Sequence, residues 1–119
     1  MLEKIIELTN LYIDSMPKKE RKKYGQFFTS METAKFMANL YEMPTNKESV
    51  TVLDAGAGSG ILSCAFIEWI EGFDTVKEIE LTCYENDTNV LGLLKNNLEY
   101  CKNHSSKIVK YNIQTENYI

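Results

Sequence analysis

Leu2, Ile5, Ile6, Thr9 and Ile13, with Leu8 and Tyr12 beside them, recur at the three-and-four spacing of a helix, which predicts an amphipathic helix over residues 2–15. Pro17 and a run of charges interrupt that period. Thr29 and Ser30 then precede Met31-Glu32-Thr33, a capping arrangement with an acid in the first turn. It opens a helix through about residue 43 whose apolar side is Phe36, Met37, Leu40 and Tyr41, closed by Pro44-Thr45-Asn46. At Val50 the period changes. Val50-Thr51-Val52-Leu53 is short, apolar and β-branched, as in a strand buried within a parallel sheet. Ile61, Leu62, Ala65, Phe66 and Trp69 share one helical face, and Gly72 ends that helix. Residues 78–84 read as a second strand, and Val90, Leu91, Leu94, Leu98 and Cys101 as a helix starting from Asp87. Lys107 to Tyr111 is a third short strand. The order helix–helix–β–α–β–α–β predicts an α/β fold: a parallel, right-handed half-sheet of three strands with flanking helices and a helical extension at the amino end. Residues 1–45 form that helical segment, and residues 46–119 the first half of the α/β domain.

Composition adds limits. The 119 residues are 44% hydrophobic and 25% charged, an ordinary soluble balance. No apolar run approaches the roughly 20 residues that cross a bilayer, and the amino end lacks the apolar core of a secretion signal. Cys64, Cys83 and Cys101 are odd in number and form no C-x-x-C pair, so they read as buried thiols in a reducing, cytoplasmic compartment, with neither disulfide nor metal role. The net charge of −4 has the wrong sign for a domain whose whole surface grips nucleic acid. Residues 18–23 are a local exception, with five cations in six positions. They are either a solvated inter-helix loop or a phosphate-contacting strip in a larger assembly. Lone His104, in a polar turn, is not a catalytic candidate.

Candidate chemistry gathers at Asp54-Ala55-Gly56-Ala57-Gly58-Ser59-Gly60, directly between a strand and a helix. Small residues let the backbone turn sharply and approach a ligand, and amides at the following helix start favour a polar or anionic group. The second strand runs into Tyr84-Glu85-Asn86-Asp87, which sets an acid at its tip, 25 residues after Gly60, in position to accept both hydroxyls of a ribose. A dinucleotide fingerprint, G-x-G-x-x-G, would need glycine where Ile61 stands. The pattern is instead G-x-G-x-G with Asp54 two residues ahead, and residues 54–63 hold no Lys or Arg. A carboxylate there repels a pyrophosphate and suits an ammonium, such as the methionine end of S-adenosylmethionine. The turn favours a cationic nucleoside over NAD.

Val52 to Gly60 resembles motif I of the class I S-adenosylmethionine-dependent methyltransferases, and Glu85 matches the ribose-binding acid of their motif II. A second stretch, Tyr24-Gly25-Gln26-Phe27-Phe28-Thr29-Ser30, is similar to the G-Q-x-x-T-P element ahead of motif I in adenine-specific (N6) DNA methyltransferases of restriction–modification systems, including the Eco57I-like and type I modification groups. Ser30 stands in place of the usual proline. The resemblance implies a partial class I methyltransferase (Rossmann-like) sheet. It also implies S-adenosyl-L-methionine as cofactor, held by Asp54, Gly56, Ala57, Gly58, Gly60 and Glu85. Thr29 would touch the methionine carboxylate, Asn86 would lie against the adenine face, and no metal takes part. Asn112, just past the third strand, falls where the family usually has an Asp that binds the adenine amino group.

Such enzymes transfer the methyl with an (Asn/Asp)-Pro-Pro-aromatic loop after a fourth strand, stacking the aromatic on a flipped base. This sequence has only Pro17 and Pro44. It is therefore expected to be the cofactor-binding portion of a DNA adenine-N6 methyltransferase, lacking the catalytic loop and target-recognition domain and inactive alone. DNA would be a partner of the full-length enzyme, held not strongly by this stretch alone. Without a fourth strand, Val50 to Leu53 faces an open sheet edge, which predicts self-association along it. Two further readings stay open: part of an RNA or protein-glutamine methyltransferase, against which the Gly25–Ser30 element argues, and a non-catalytic interaction module that kept the fold.

Overall fold

The β-branched run around Val52 forms a strand, but a longer one than its apolar stretch. A computed structural model of the chain describes residues 1–27, 30–40 and 47–116, with the backbone alone for 23–27. The elements are α1 (Leu2–Asp14), α2 (Lys18–Phe27), α3 (Met31–Ala38), β1 (Ser49–Ala55), α4 (Ile61–Ile70), β2 (Glu78–Tyr84), α5 (Thr88–His104) and β3 (Ile108–Gln114). The three strands form a parallel sheet in the order β1-β2-β3, with Val52 opposite Leu81 and Leu81 opposite Tyr111. This is the expected α/β architecture, a partial Rossmann-like sheet with flanking helices.

Alternation decides the layers. Val50, Val52 and Asp54 share a face with Ile79, Leu81 and Cys83 and with Val109, Tyr111 and Ile113. The core lies on that side, where Ile61, Cys64, Phe66 and Ile67 of α4 and Leu94, Leu98 and Cys101 of α5 pack with Ile79, Leu81 and Cys83. On the opposite face, from Ser49, Thr51, Leu53 and Ala55 across to Ile108, Lys110, Asn112 and Gln114, no residue is buried, and Leu53 is 50% exposed. Outside this layer α1 runs antiparallel to both sheet-covering helices. The Leu2 amide reaches Glu68 near the end of α4, while Tyr12 donates to the Asn89 carbonyl at the start of α5.

Three expectations need correction. The charged run after Pro17 is helical: α2 starts at Lys18, and the Pro17 carbonyl accepts the amides of Glu20 and Arg21. A proline just before a helix loses no intrahelical bond, so it separates α1 from α2 without forcing a loop. Ser30 does cap α3, accepting from the Thr33 amide at 3.2 Å, yet this helix ends at Ala38 and not near residue 43. It packs through Ala34 and Ala38, leaving Phe36 65% and Leu40 66% exposed, so the bulky side expected to be buried is not. Tyr41 and the closing Pro44 lie outside the described residues. Finally, β3 continues to Gln114, three residues beyond the expected Tyr111.

Candidate functional site

Parallel strands with helices returning on one face bring the strand ends and helix starts to a single rim. Ala55 and Tyr84 close β1 and β2 there, and α4 and α5 begin there. Between Ala55 and Ile61 the chain turns through three left-handed glycines, Gly56 (φ +79°), Gly58 (φ +58°) and Gly60 (φ +84°). Two of them need glycine for different reasons. A Cβ on Gly60 would lie 2.9 Å from Leu94 Cδ1, so this glycine lets the turn sit against α5. A Cβ on Gly56 would meet nothing within 4 Å, so open space lies before the backbone at that point. Such space is what a ligand approaching the turn requires.

Hydrogen bonds lock the turn to β2. The amides of Gly56 and Ala57 donate to the Tyr84 carbonyl at 2.8 and 3.0 Å. The Gly58 amide donates to Glu85 Oε1 at 2.7 Å, and the Asp87 amide to Glu85 Oε2 at 3.0 Å. Each oxygen of Glu85 is thus held by one backbone donor. A carboxylate has about four acceptor positions, so two remain for a ligand's hydroxyls. Asn86 follows as an exposed residue, and Asp87 caps α5 by accepting from the Asn89 amide at 2.9 Å. The N-cap of α4 is Gly60, which makes no side-chain cap hydrogen bond.

Asp54 points to the helix side of the sheet, where its Oδ2 accepts from Ser63 Oγ at 2.5 Å. Val52, Leu53, Leu62, Ser63 and Phe66 line the groove around it, beside β1. Burial raises the Asp54 carboxyl above its ordinary value and the nearby Glu85 charge adds to this, against the lowering hydrogen bond from Ser63. Beneath, Ser63 Oγ also lies 3.7 Å from Cys83 Sγ, and burial pushes that thiol up to about 12. All three cysteines are free and buried. Among the described residues no group of His, Cys, Asp and Glu could hold a metal ion, and no helix is long and apolar enough to cross a membrane.

The rim therefore brings together Asp54, Gly56, Ala57, Gly58, Gly60, Glu85 and Asn86. Thr29 lies outside the described residues, as does Phe28, while Gly25 to Phe27 continue the backbone of α2. Asn112 is not with the others. Because β3 is longer than expected, Asn112 sits within the strand on the uncovered face, donating to Thr82 Oγ1 and accepting from Gln114 Nε2, each at 3.0 Å. Two structural contributors were not anticipated: Ser63, which donates to Asp54 at 2.5 Å, and Asn97. Fully buried on α5, it donates to the Ser59 carbonyl at 2.8 Å and to Thr9 Oγ1 at 3.4 Å, joining the glycine turn to α1. Its only signal in the sequence was a polar residue beside Leu94 and Leu98 on a helix face otherwise apolar.

Over 102 residues the chain is 34% identical to the type II methyltransferase M.PstI of Providencia stuartii, an alignment that takes in 86% of this chain and 19% of that protein. The chain thus spans about a fifth of the length of this curated relative. No family model and no solved structure matches it. The similarity relates the chain to a methyltransferase.

Proposed function

We propose that this chain binds S-adenosyl-L-methionine at the strand-end rim, as the cofactor-holding portion of an adenine-N6 DNA methyltransferase of restriction–modification type. The observation that carries the reading is the pair of carboxylates at one glycine turn, Asp54 raised by burial and Glu85 held by two backbone amides. No lysine or arginine among the described residues forms an ion pair with either. A site with that charge selects a ligand that is cationic and carries a diol, and it disfavours a pyrophosphate. In this reading Glu85 accepts the ribose hydroxyls and Asp54 faces the ammonium of the methionine part. The turn at Gly56 to Gly60 lets the ligand lie against backbone, with Asn86 beside the adenine.

When bound, this cofactor supplies an electrophilic methyl group. The residues described here orient it but offer no partner for the accepting amine, since Pro17 and Pro44 are the only prolines and neither belongs to a Pro-Pro-aromatic loop. DNA as the substrate rests on the type II methyltransferase relative, and adenine as the base on the Gly25–Ser30 element alone. Calorimetric titration tests the cofactor assignment. S-adenosylmethionine should bind and NAD should not. Glu85→Ala should weaken S-adenosylmethionine by about 1.5–3 kcal/mol, roughly tenfold to a hundredfold. A chain that binds neither ligand overturns the cofactor reading, and an unchanged affinity in Glu85→Ala overturns the ribose assignment.

A further inference from the structure

The chain brings its strongest concentration of positive charge to the rim that bears the ligand site. Tyr12, in the last turn of α1, donates to the carbonyl of Asn89, four residues past Glu85. One turn earlier, Thr9 accepts from Asn97, further along α5. These two contacts set α1 antiparallel to α5, so α1 ends at the rim where α5 begins. After Ser15, Met16 and Pro17, α2 starts at Lys18 beside that rim. Lys18, Lys19, Arg21 and Lys22 lie within its first five residues and are all exposed, with Glu20 the single acid among them. At the helical 100° per residue these four cations span an arc of about 160°. None of them forms an ion pair among the described residues. Residues 18–22 carry +3 in a chain of net −4, which leaves the remainder at −7. The cations are segregated, not dispersed.

We propose that the basic face of α2 grips the phosphate backbone of duplex DNA alongside the cofactor rim, an inference that rests on the DNA methyltransferase reading above and gives it a docking surface. A helix that lies on an anionic membrane needs a broad apolar face as well as its cations, and α2 has only two large apolar residues in its sequence, Tyr24 and Phe27. A row of phosphates needs only charge and reach. Phosphate contacts set orientation and carry no sequence information, so α2 would hold the duplex across the rim where the methyl donor sits while other residues choose the base.

The test measures binding of a fluorescent DNA duplex to the full chain by anisotropy over a series of salt concentrations. Each phosphate neutralised contributes about 0.9 to the slope of log affinity against log salt. The variant K18Q/K19Q/R21Q/K22Q should lose about 3–4 from that slope and at least about tenfold in affinity at low salt. K18R/K19R/K22R should retain both. A control of equal charge change, K4Q/K47Q/K77Q/K102Q, removes cations distant from the rim and should retain most of the binding. Circular dichroism confirms that each variant folds, and S-adenosylmethionine titration of the α2 variant should match wild type. Equal losses in the control, or no loss in the α2 variant, overturn the proposal. So does a matching α2-dependent affinity for phosphatidylserine vesicles. DNA binding that survives while S-adenosylmethionine fails to bind would refute the cofactor reading and leave the strip assigned.

Discussion

Burial raises the proton affinity of Asp54 above that of an exposed aspartate, whose ordinary value is 3.8. The folded state therefore holds this proton more tightly than the unfolded chain, and Asp54 favours folding as pH falls through its raised pKa. That contribution is complete below 3.8 and disappears as pH rises through the folded value. A cationic ligand needs the opposite form. Affinity for S-adenosylmethionine should accordingly decline on acidification, beginning above 3.8, whereas Asp54→Asn should bind more weakly at neutral pH and lose the decline. Calorimetry at stepped pH separates the two, and a decline that persists in Asp54→Asn would assign the titration to another group. That Asp54 and Glu85 lie together at one glycine turn was legible in sequence because their spacing from the glycines is a backbone property of the strand–turn–helix unit. The position of Asn112 within β3 was not. Its assignment depended on where β3 stops, and Tyr111 and Ile113 extend the alternation past the expected end.

Among the elements, two side chains make the join between α4 and β3, Glu71 and Lys107, whose Nζ donates to the Phe73 carbonyl at 2.9 Å. Glu71, just past α4, accepts from the hydroxyls of Ser105 and Ser106 and from the Ser106 amide at 3.1 Å, directly before β3. Burial alone would raise its carboxyl, but the bonds from Ser105 and Ser106 and the charge of Lys107 bring the pKa below the ordinary 4.5. Its stabilisation is present above 4.5 and is lost as pH falls through the lowered value, the reverse of Asp54. Glu71→Ala should cost about 1 kcal/mol, less than buried charged hydrogen bonds contribute because solvent screens this site. Urea unfolding at neutral pH measures it, and the deficit should shrink in acid. No sequence pattern announced this latch, since Glu71 and Ser105 are distant along the chain and only the fold makes them neighbours. The apolar period misled differently in α3. Phe36, Met37 and Leu40 mark a helical face, but close packing on α4 is achieved by Ala34 and Ala38, whose small side chains admit the shorter approach.

For the molecule as a whole, one layer of helices covers one face of a three-stranded sheet, and β1 presents an unpaired edge among the described residues. Its outward residues, Ser49, Thr51, Leu53 and Ala55, include neither charge nor proline, the devices that usually block edge pairing. Self-association through β1 is the expected outcome. Sedimentation over a range of concentrations should show a shift from monomer to larger species, and Thr51→Lys should reduce it; a monodisperse monomer at high concentration would refute the idea. Fold class, the β–α–β–α–β order of the sheet unit and parallel pairing could be read from period and glycine placement, because βαβ connectivity restricts how such elements assemble. Which face stayed uncovered could not, since a parallel strand is apolar for reasons that concern both of its sides.

Asn97 ties the glycine turn to a helix whose other end, near Ser105, is remote from any ligand at the rim. A molecule that settles against the turn therefore also restrains the middle of α5, through one amide and the contact of Gly60 with Leu94. Cofactor occupancy should be audible there as slowed hydrogen–deuterium exchange of the α5 backbone between Leu94 and Cys101, with β3 little changed, and Asn97→Ala should silence most of that response.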